Sequence, residues 1–597
     1  MRHRGPDDSG SWWSDDGRVG LGHRRLSIID ISSSGHQPMQ DASSTYSIVF
    51  NGEIYNYLDL KKELISKGHT FHSQSDTEVI IASYQEWGEQ CLLRFNGMFA
   101  FALYDKKNQK IFLARDRAGE KPLFYSISNK ELRFSSELKG LFANSNLSRS
   151  INTDAFDLYL TLGYIPGEYC IIQGVKKIPP AHALIFDLIN GKTKIWQYWE
   201  LPEASLKSES IDEPVLLDEL ENLLEDAVCK QLQADVPVGV LLSGGLDSSL
   251  ITAMAARSSN KIKTFTVGFP GFNSFDESHH ARLVADFFNT EHIELTASKI
   301  KPDLLTNLIY QFDEPMSDSS IIPTYLVSQL VRQHCKVALG GDGGDELFGG
   351  YTHYNRLLWL QDRFKMIPVW MKNLISKVAN ETLPLGFKGR NWLNALGYDL
   401  SYDLPLIGTL FDKRGRKELM HRNNGLTWPL VAEDRIKSRV PLEDNLLQRA
   451  TRMDFENYMA DDILVKVDRA SMLNSLELRS PLLDFRIIEF AYGKVPSDYK
   501  AIPVERKILL KKLAKKLLPT NFDMKRKQGF SIPLATWLKA GPWRDLFHEV
   551  LLDKQTIFEK KAVKKLLQGQ DFGYNNNERL FSLVLFELWR REYAVTL

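Results

Sequence analysis

The segment from Val238 to Ser249, VGVLLSGGLDSS, constrains the fold of this chain more than any other stretch. The run VPVGVLL, which overlaps its start, is short and rich in Val and Leu, as is typical of a strand buried on both faces of a parallel sheet. Asp247, Ser248 and Ser249 are residue types that begin helices, and apolar residues follow them at helical spacing. The segment therefore predicts a strand, a Gly-Gly turn and a helix start, and such a turn presents backbone N–H groups to phosphate or pyrophosphate.

A Gly-Gly turn that only joins a strand to a helix is the alternative interpretation. Two glycines alone would favour that alternative, whereas the whole string SGGLDSS favours the nucleotide. No GxxxxGK followed by Ser or Thr surrounds it, so it is not a Walker loop. Asp247, within the string, is a candidate magnesium ligand.

Length and composition limit the class of protein. A chain of 597 residues predicts two or more domains, and 75 basic against 75 acidic residues give no electrostatic preference for nucleic acid or an anionic membrane. The four cysteines have no CxxC spacing, which argues against a zinc site or a disulfide framework. The opening MRHRGPDDSG has no apolar signal region. We expect a cytoplasmic protein that acts on small molecules, binds neither nucleic acid nor membrane, and has a homodimer as its candidate assembly.

Two different architectures follow each other along the chain. The first part contains strand-like runs separated by turns, at 46–50, 98–104, 110–114, 132–135 and 183–187. A polar, acidic stretch at 201–214 is predicted to be a linker. Buried-strand candidates then alternate with helical patterns at VPVGVLL, TFTVGF and CKVALGG, which predicts a parallel sheet with ligands at its carboxyl edge. Beyond Tyr351 the pattern is mostly helical.

A second Gly-rich string, LGGDGGDELFGGY, runs from Leu339 to Tyr351 after a predicted strand. Its carboxylates Asp342, Asp345 and Glu346 are close together in sequence, and carboxylates beside a phosphate loop indicate magnesium ligation. A solvated acidic turn is the alternative, but solubility does not require the glycines that flank these carboxylates.

The string SGGLDSS resembles the pyrophosphate loop of the ATP pyrophosphatase (PP-loop) superfamily. With DRASMLNSLELRSPLLD at 468–484 and KRKQGFSIPL at 525–534, the chain resembles the glutamine-dependent asparagine synthetases of the bacterial AsnB type over nearly its full length. The resemblance implies an α/β fold: an N-terminal αββα sandwich over residues 1–200, the linker at 201–214, and a parallel-sheet PP-loop domain with a helical C-terminal part over 215–597. It implies ATP and Mg²⁺ as cofactors, and an aspartyl-adenylate that ammonia converts to asparagine, AMP and pyrophosphate.

The same resemblance assigns roles to residues of the second half. Magnesium would be bound by Asp247 and Asp345. Lys527 would stabilise the negative charge that develops during adenylation, as a cation aimed at that charge should. Asp342 stands where the family places a glutamate that helps to deprotonate ammonium. The residues assigned to ATP, pyrophosphate and the adenylate are Leu242, Ser243, Gly244, Gly245, Asp247, Ser248, Val267, Gly340 and Gly341.

Six strings in the first half resemble the class II glutamine amidotransferase domain, an N-terminal-nucleophile fold: HRGPDDSG, HRRLSIID, NGEIYNY, SDTE, NGMFAFALYD and ARDRAGEKPLFY. The resemblance implies that Arg25 binds the glutamine α-carboxylate, a group that its planar guanidinium suits. Asp76 and the backbone of Gly52 and Glu53 would bind the α-amino group. Asn51 and Gly52 would form the oxyanion hole.

The family's nucleophile is a cysteine at the mature N-terminus, and the printed chain begins with Met and Arg. Cys91 lies inside the chain and lacks the α-amino base, so we expect the first domain to be incomplete and the chain to use ammonia only. A start assigned too far downstream and a genuine truncation both explain this pattern.

Two other functions stay open at this point. Asp342 is one methylene shorter than the family's glutamate, and the aspartyl form also occurs in relatives that amidate sugar carboxylates of surface polysaccharides. A non-catalytic relative that binds nucleotide or glutamine is the alternative from another class. The set of SGGLDSS, Asp345 and Lys527 argues against it.

Overall fold

The computed structural model describes residues 1–143, 147–203, 212–259, 261–268, 277–297, 300–421, 428–526 and 532–597. Most of the predicted linker, and Lys527, lie outside these residues. The first 200 residues form helices α1 Tyr57–Ser66, α2 Asp76–Trp87, α3 Leu138–Leu141 and α4 Thr153–Leu162. Their strands are β1 Asp8–Trp13, β2 Gly20–Arg25, β3 Met39–Gln40, β4 Tyr46–Ile54, β5 Gly97–Asp105, β6 Lys110–Arg115, β7 Phe124–Ser128, β8 Glu131–Ser135, β9 Lys176–Lys177, β10 His182–Asp187 and β11 Thr193–Gln197.

The first half is layered around an antiparallel sheet with strand order β11-β10-β6-β5-β4-β3. Helices α1 and α2 cover one face, where Leu64 and Ile80 pack with Phe99 and Phe101 of β5. The other face packs against a second β layer, because Leu113 of β6 shares a core with residues of β2 and β7. Helices α3 and α4 lie behind strand β7. The predicted αββα sandwich and its five strand-like runs are therefore confirmed.

The second half contains strands β12 Val238–Leu241, β13 Lys263–Gly268, β14 Glu291–Thr296, β15 Val337–Leu339, β16 Glu477–Arg479, β17 Ala501–Ile502 and β18 Glu505–Arg506. Its helices are α5 Glu213–Gln231, α6 Leu246–Ser258, α7 Ser278–Phe287, α8 Pro302–Ile309, α9 Ile321–Val331, α10 Gly344–Leu347, α11 Thr352–Phe364, α12 Val369–Thr382, α13 Arg390–Ala395, α14 Lys413–Leu419, α15 Ala432–Lys437, α16 Leu446–Met453, α17 Leu464–Met472, α18 Phe485–Gly493, α19 Ser497–Lys500, α20 Ile508–Leu517, α21 Leu534–Trp537, α22 Pro542–Leu552, α23 Lys560–Asp571 and α24 Asn577–Glu592. A π-helical stretch, Asp454–Ile463, joins α16 to α17.

The parallel sheet of the second half has strand order β14-β13-β12-β15-β16. The three predicted buried strands are β12, β13 and β15. Strands β12 and β15 are adjacent, so the two Gly-rich strings that follow them emerge side by side at the carboxyl edge. The topology therefore brings SGGLDSS and LGGDGGDELFGGY to one place.

Buried charged pairs join the two halves. Both Nη atoms of Arg4 donate to the carboxylate of Asp468 at 2.7 Å. Arg416 donates to Asp157 of α4 at 2.7 Å, and both side chains are fully buried. Because removing one partner of such a pair leaves a buried charge unpaired, these contacts fix how the halves meet. No described helix is long and apolar enough to cross a bilayer.

Candidate functional site

The turn after β12 has the geometry of an anion-binding loop. Gly244 has a φ of +73°, and a Cβ there would lie 2.7 Å from the Ala281 nitrogen, so glycine is required. Helix α6 follows directly, with Gly245 as its N-cap residue. The Ser243 and Ser248 hydroxyls are 3.1 Å apart at the start of α6, where the N–H groups of the first helical turn have no carbonyl acceptor within the helix itself.

A cavity of about 370 Å³, which we call the nucleotide cavity after the role predicted for its residues, opens beside this turn. Of the predicted nucleotide residues, all except Gly244 line it. Phe265, Val327 and Leu478 add apolar surface, while Lys466, Arg506 and Lys511 add cationic groups. The predicted residues that line the cavity are Leu242, Ser243, Gly245, Asp247, Ser248, Val267, Gly340, Gly341, Asp342 and Asp345.

Asp247 and Asp345 converge on one cation, the ammonium group of Lys507. The Nζ atom of Lys507 lies 2.7 Å from Oδ1 of Asp345 and also forms a close ion pair with Asp247. Burial lowers the pKa of Lys507, but the two carboxylates outweigh burial, so the pKa is raised. Lys507 has a left-handed backbone, with φ +52°, just before α20. The two carboxylates thus share a single cation-binding point in the cavity.

Two glycines of the second string make room for this ion group. A Cβ on Gly350 would lie 1.9 Å from Oδ1 of Asp345 and 2.2 Å from Cε of Lys507. A Cβ on Gly344 would lie 2.7 Å from the Asp247 carboxylate. Any larger residue at either position would displace the carboxylates, which explains why glycine surrounds Asp345.

The three carboxylates of LGGDGGDELFGGY have different surroundings. Asp342 lines the cavity, and burial raises its pKa, with Asp247 and Asp345 adding to the rise and Lys466 opposing it. Glu346 is buried away from the cavity and accepts a hydrogen bond from the Tyr351 hydroxyl. Burial, and then Asp345, raise the pKa of Glu346 to about 8. Asp342 and Asp345 therefore face the site, whereas Glu346 does not.

The side chains around Asp247 and Asp345 suit a magnesium ion, but not a metal ion whose ligands all come from the protein. The described residues contain no group of three or more His, Cys, Asp or Glu side chains that could hold a metal ion. Magnesium, however, is usually held by one or two carboxylates together with substrate phosphates. Asp247 and Asp345, converging beside the phosphate turn, match that requirement.

A second cavity, of about 110 Å³, lies in the first half, and we call it the glutamine cavity after the binding role predicted for its residues. All five predicted glutamine residues line it: Arg25, Asn51, Gly52, Glu53 and Asp76. Burial raises the pKa of Asp76 to about 6, and its Oδ2 accepts from the Ile54 N–H at 2.9 Å. Burial, and then Asp76, hold the pKa of Glu53 well above its ordinary range. The two carboxyl groups thus form a buried acidic wall.

Arg25 and Asn51 occupy other walls of the glutamine cavity. The Arg25 guanidinium donates to the carbonyl oxygens of Ile29 and Ser32 at 3.1 Å each, and also to that of Asp30. The Nδ2 atom of Asn51 is buried and has no hydrogen-bond acceptor among the described residues. Gly52 has a φ of +147°, and a Cβ there would lie 2.0 Å from the Met98 oxygen. The amide of Asn51 is therefore a donor available to a bound oxygen atom.

The chain matches the asparagine synthase family model over residues 219–591 and the glutamine amidotransferase domain model over residues 1–199. It is 34% identical over 592 residues to glutamine-hydrolyzing asparagine synthetase 1 of Bacillus subtilis (strain 168), covering 98% of this chain and 91% of the relative. Asparagine synthetase 3 of the same organism is 31% identical over 605 residues, with 96% and 90% covered. A Gibberella zeae protein named amidase chry2 is 29% identical over 541 residues, with 83% and 78% covered. The chain belongs to the asparagine synthase family.

In this member of the asparagine synthase family, one short strand borders both cavities. Glu477 of β16 lines the glutamine cavity, and the next residue, Leu478, lines the nucleotide cavity. Arg479 lies 3.3 Å from Glu53 through its side chain and accepts from the Gly340 N–H through its backbone oxygen, at 2.8 Å. Because successive strand residues point to opposite faces, adjacent residues of β16 contribute to the walls of different cavities.

Lys507 is the functional residue that sequence reasoning missed in this family member. The basic run between Glu505 and Leu518 is typical of a core-packed helix with a solvated face, and α20 has this form, with Leu509 and Leu513 buried. Lys507 stands at the start of that run but is buried in the cavity. Its position immediately before the predicted helix was the available signal. The predicted cation Lys527 lies outside the described residues.

Proposed function

We propose that this enzyme joins ammonia to the side-chain carboxylate of aspartate at the expense of ATP, giving asparagine, AMP and pyrophosphate. The observation that carries the proposal is the convergence of Asp247 and Asp345 on one cation point beside the Ser243–Ser248 turn. A site for a nucleoside triphosphate needs two features together: a turn with many hydrogen-bond donors for the phosphates, and carboxylates for the magnesium ion. Family membership supports ATP-dependent amide synthesis independently.

The site residues divide by role in this proposal. Ser243, Gly244, Gly245 and Ser248 bind the β- and γ-phosphates through hydroxyl and backbone N–H groups. Leu242, Val267, Gly340 and Gly341 border the adenylate. Asp247 and Asp345 would hold Mg²⁺ in place of the Lys507 ammonium group with which they pair, and the ion would neutralise phosphate charge and make pyrophosphate a better leaving group.

Adenylation begins when a carboxylate oxygen of aspartate attacks the α-phosphorus and pyrophosphate departs. Negative charge grows on the α-phosphoryl oxygens, so a cation positioned there lowers the barrier. Lys507 is buried, charged and already in the cavity, and we assign that role to it. Lys527, assigned by resemblance, stays a second candidate for the same role.

Ammonia then attacks the acyl carbon, and AMP leaves. The attacking nitrogen must lose a proton, and Asp342 lines the cavity with a raised pKa, which makes it a better base than an ordinary aspartate. Lys466, on the same cavity, moderates that rise. We therefore assign proton removal to Asp342.

The glutamine cavity serves α-amino acid recognition in the same proposal. Asp76 and the backbone of Gly52 and Glu53 bind the α-ammonium group, and Asn51 and Gly52 bind the amide oxygen. Arg25 binds the α-carboxylate, exchanging a contact with a backbone carbonyl for a charged partner.

Ammonia use follows from where the cysteines of this chain lie. None of the four lines the glutamine cavity. Cys91, Cys170 and Cys335 are buried, and burial raises the pKa of each thiol, that of Cys335 to about 11. A thiol must ionise to attack an amide. The 597-residue chain is therefore proposed to take ammonium from solution.

The test is incubation of the 597-residue chain with ATP, magnesium, aspartate and either ammonium or glutamine, while pyrophosphate and asparagine are measured. Asparagine from ammonium but not from glutamine is the expected result. Pyrophosphate release with sugar acids and not with aspartate would show that the acceptor is a sugar carboxylate. Nucleotide binding with no pyrophosphate release in the presence of any carboxylate would refute the enzyme proposal. Cytoplasmic location and a homodimer stay predictions, to be checked by fractionation and light scattering.

A further inference from the structure

Helix α12 has two apolar faces, and the described residues cover only one of them. On the inner face Ala379 is buried, and Ile375 packs against a core of Leu360, Ala395 and Leu396. This inner face anchors α12 to α13 and accounts for the stability of the helix. The apolar residues of the opposite face need another explanation.

The outer face is a continuous exposed ridge. Trp370, Leu374 and Val378 follow each other at a spacing of four residues, so they lie along one side of the helix, and Met371 lies beside them. Trp370 is 67% exposed and Leu374 is 53% exposed. Met366, which precedes the helix, and Val369, its first residue, are also exposed. We call these six residues the outer ridge. An exposed apolar surface of this extent marks an interaction site.

Basic residues predominate in the segment that contains the outer ridge. Residues 356–388 contain six basic side chains (Arg356, Arg363, Lys365, Lys372, Lys377 and Lys388) against two acidic ones (Asp362 and Glu381), whereas the whole chain has a net charge of zero. Arg363, Lys365, Lys377 and Lys388 are exposed, and within the described ranges they have no ion-pair partner. The region therefore has a local positive charge that the fold does not use.

The zero net charge of the whole chain predicts no membrane binding, but the local excess of basic residues around α12 reverses that expectation, and we propose that the outer ridge binds the surface of an anionic lipid bilayer. A helix that lies in the plane of a bilayer surface combines Trp and aliphatic side chains on one face with Lys and Arg at the border. The lysine and arginine stems lie along the apolar face while their charges reach lipid phosphates. The exposed face of α12 has both components.

A second copy of the chain fits this surface less well. A two-fold interface through the outer ridge would place the same patch on both sides, so Lys365 and Lys377 of each copy would approach cations of the other. Like charges brought together across an interface oppose association. The local positive charge therefore favours an anionic partner surface. Because the patch is not complementary to itself, a dimer contact between two copies of it is disfavoured.

The outer ridge is linked to the nucleotide cavity by one helix. Helix α11 begins at Thr352, two residues after Gly350 of the cavity wall, and spans roughly 20 Å at 1.5 Å per residue. Bilayer binding would therefore hold the catalytic half close to the lipid surface. The inference does not depend on which carboxylate the enzyme amidates.

The test is sedimentation of the 597-residue chain with vesicles of phosphatidylglycerol and phosphatidylcholine, compared with vesicles of phosphatidylcholine alone. Binding to the anionic vesicles is expected, and the double variant Trp370→Ser, Leu374→Ser should bind about tenfold more weakly. The matched control is Ile189→Ser, Val504→Ser, which removes two side chains that are 75% and 89% exposed elsewhere. That control should bind like the unchanged chain.

A charge variant distinguishes binding to anionic lipid from nonspecific hydrophobic adsorption. Replacing Lys365, Lys377 and Lys388 by Gln should weaken binding to anionic vesicles by about tenfold and make it less dependent on salt. Thermal unfolding and pyrophosphate release should be unchanged in every variant. The proposal is overturned if the unchanged chain does not sediment with anionic vesicles, or if the control variant loses binding equally. It is also overturned if light scattering shows a dimer that the ridge variant dissociates.

Discussion

The nucleotide cavity and the glutamine cavity each contain two close carboxyl groups, and they balance this charge differently. In the nucleotide cavity Asp247 and Asp345 share the ammonium group of Lys507. In the glutamine cavity Glu53 and Asp76 contact each other, and burial raises the pKa of both. The groups that surround each carboxyl pair thus determine which ligand the pair can bind. The first is arranged for a strongly charged cation with phosphates, and the second for a single ammonium group.

The largest effect is expected for substitution of Lys507, the lysine that is buried in the nucleotide cavity. Lys507→Gln should lower the rate of pyrophosphate release by about 10²–10³-fold, because charge at the α-phosphoryl group loses its partner. Glutamine binding, measured by calorimetry, should not change. Lys516→Gln, on the exposed side of the same helix beside Asp218, is the control and should retain its rate. Equal rates for Lys507→Gln and the unchanged chain would remove Lys507 from the mechanism.

The next effect concerns space around the same carboxylates. Gly350→Ala should lower pyrophosphate release by roughly tenfold or more, and the free energy of unfolding by about 1–3 kcal/mol, because the added methyl overlaps Asp345 and Lys507. Gly408→Ala is the control, since a Cβ at Gly408 meets no atom within 4 Å. Both quantities are measurable on one preparation by a coupled assay and urea unfolding.

The acidic wall of the glutamine cavity predicts a dependence on pH. Burial raises the pKa of Asp76 to about 6, so its carboxylate is protonated below that pH and ionised above it. The α-ammonium of glutamine favours the ionised form, and affinity should rise with pH by up to about tenfold per unit below pH 6 and level off above it. Calorimetric titration across this range checks the slope. Asp76→Asn should bind weakly at every pH, and a slope that survives in this variant would point to another group.

The smallest effect is expected at Glu53, one of two carboxyl groups near Arg479. Glu53 already has a strongly raised pKa, so Glu53→Gln should change the free energy of unfolding by less than about 1 kcal/mol at neutral pH. Glu477→Gln should cost about 2–4 kcal/mol, because Glu477 accepts from the buried Arg479 at 2.8 Å. Urea unfolding of the two variants gives the comparison. Equal losses would mean that Glu53 carries a full charge.

Sequence reasoning succeeded where function depends on local structure. The strand, turn and helix around Gly244 lie within a dozen residues, and each part has its own signal in hydrophobicity or residue type. The second string follows the adjacent strand, so the alternation of strands and helices was enough to predict that Asp342 and Asp345 come near the first string.

Contacts between distant parts of the chain could not be predicted in this way. Lys507 is separated from Asp247 by 260 positions, and no periodicity within α20 shows that the residue before it enters a cavity. The pairing of Arg479 with Glu53 depends on how the two halves meet. Glu346 shows the converse error: its neighbours in sequence suggest magnesium, but the short helix α10 turns its carboxylate toward Tyr351.

Strand β16 has a consequence for recombining this enzyme with its relatives. A chimera cut at the linker would keep Arg4 and Glu53 from one parent and receive Asp468 and Arg479 from the other. Each parent would need the complementary charge opposite Arg4 and a hydrogen-bonding side chain opposite Arg479, or a buried group would lose its partner. The two halves are therefore inherited best as a matched pair, and exchanges that alter the acceptor should keep 468–479 with its own first half.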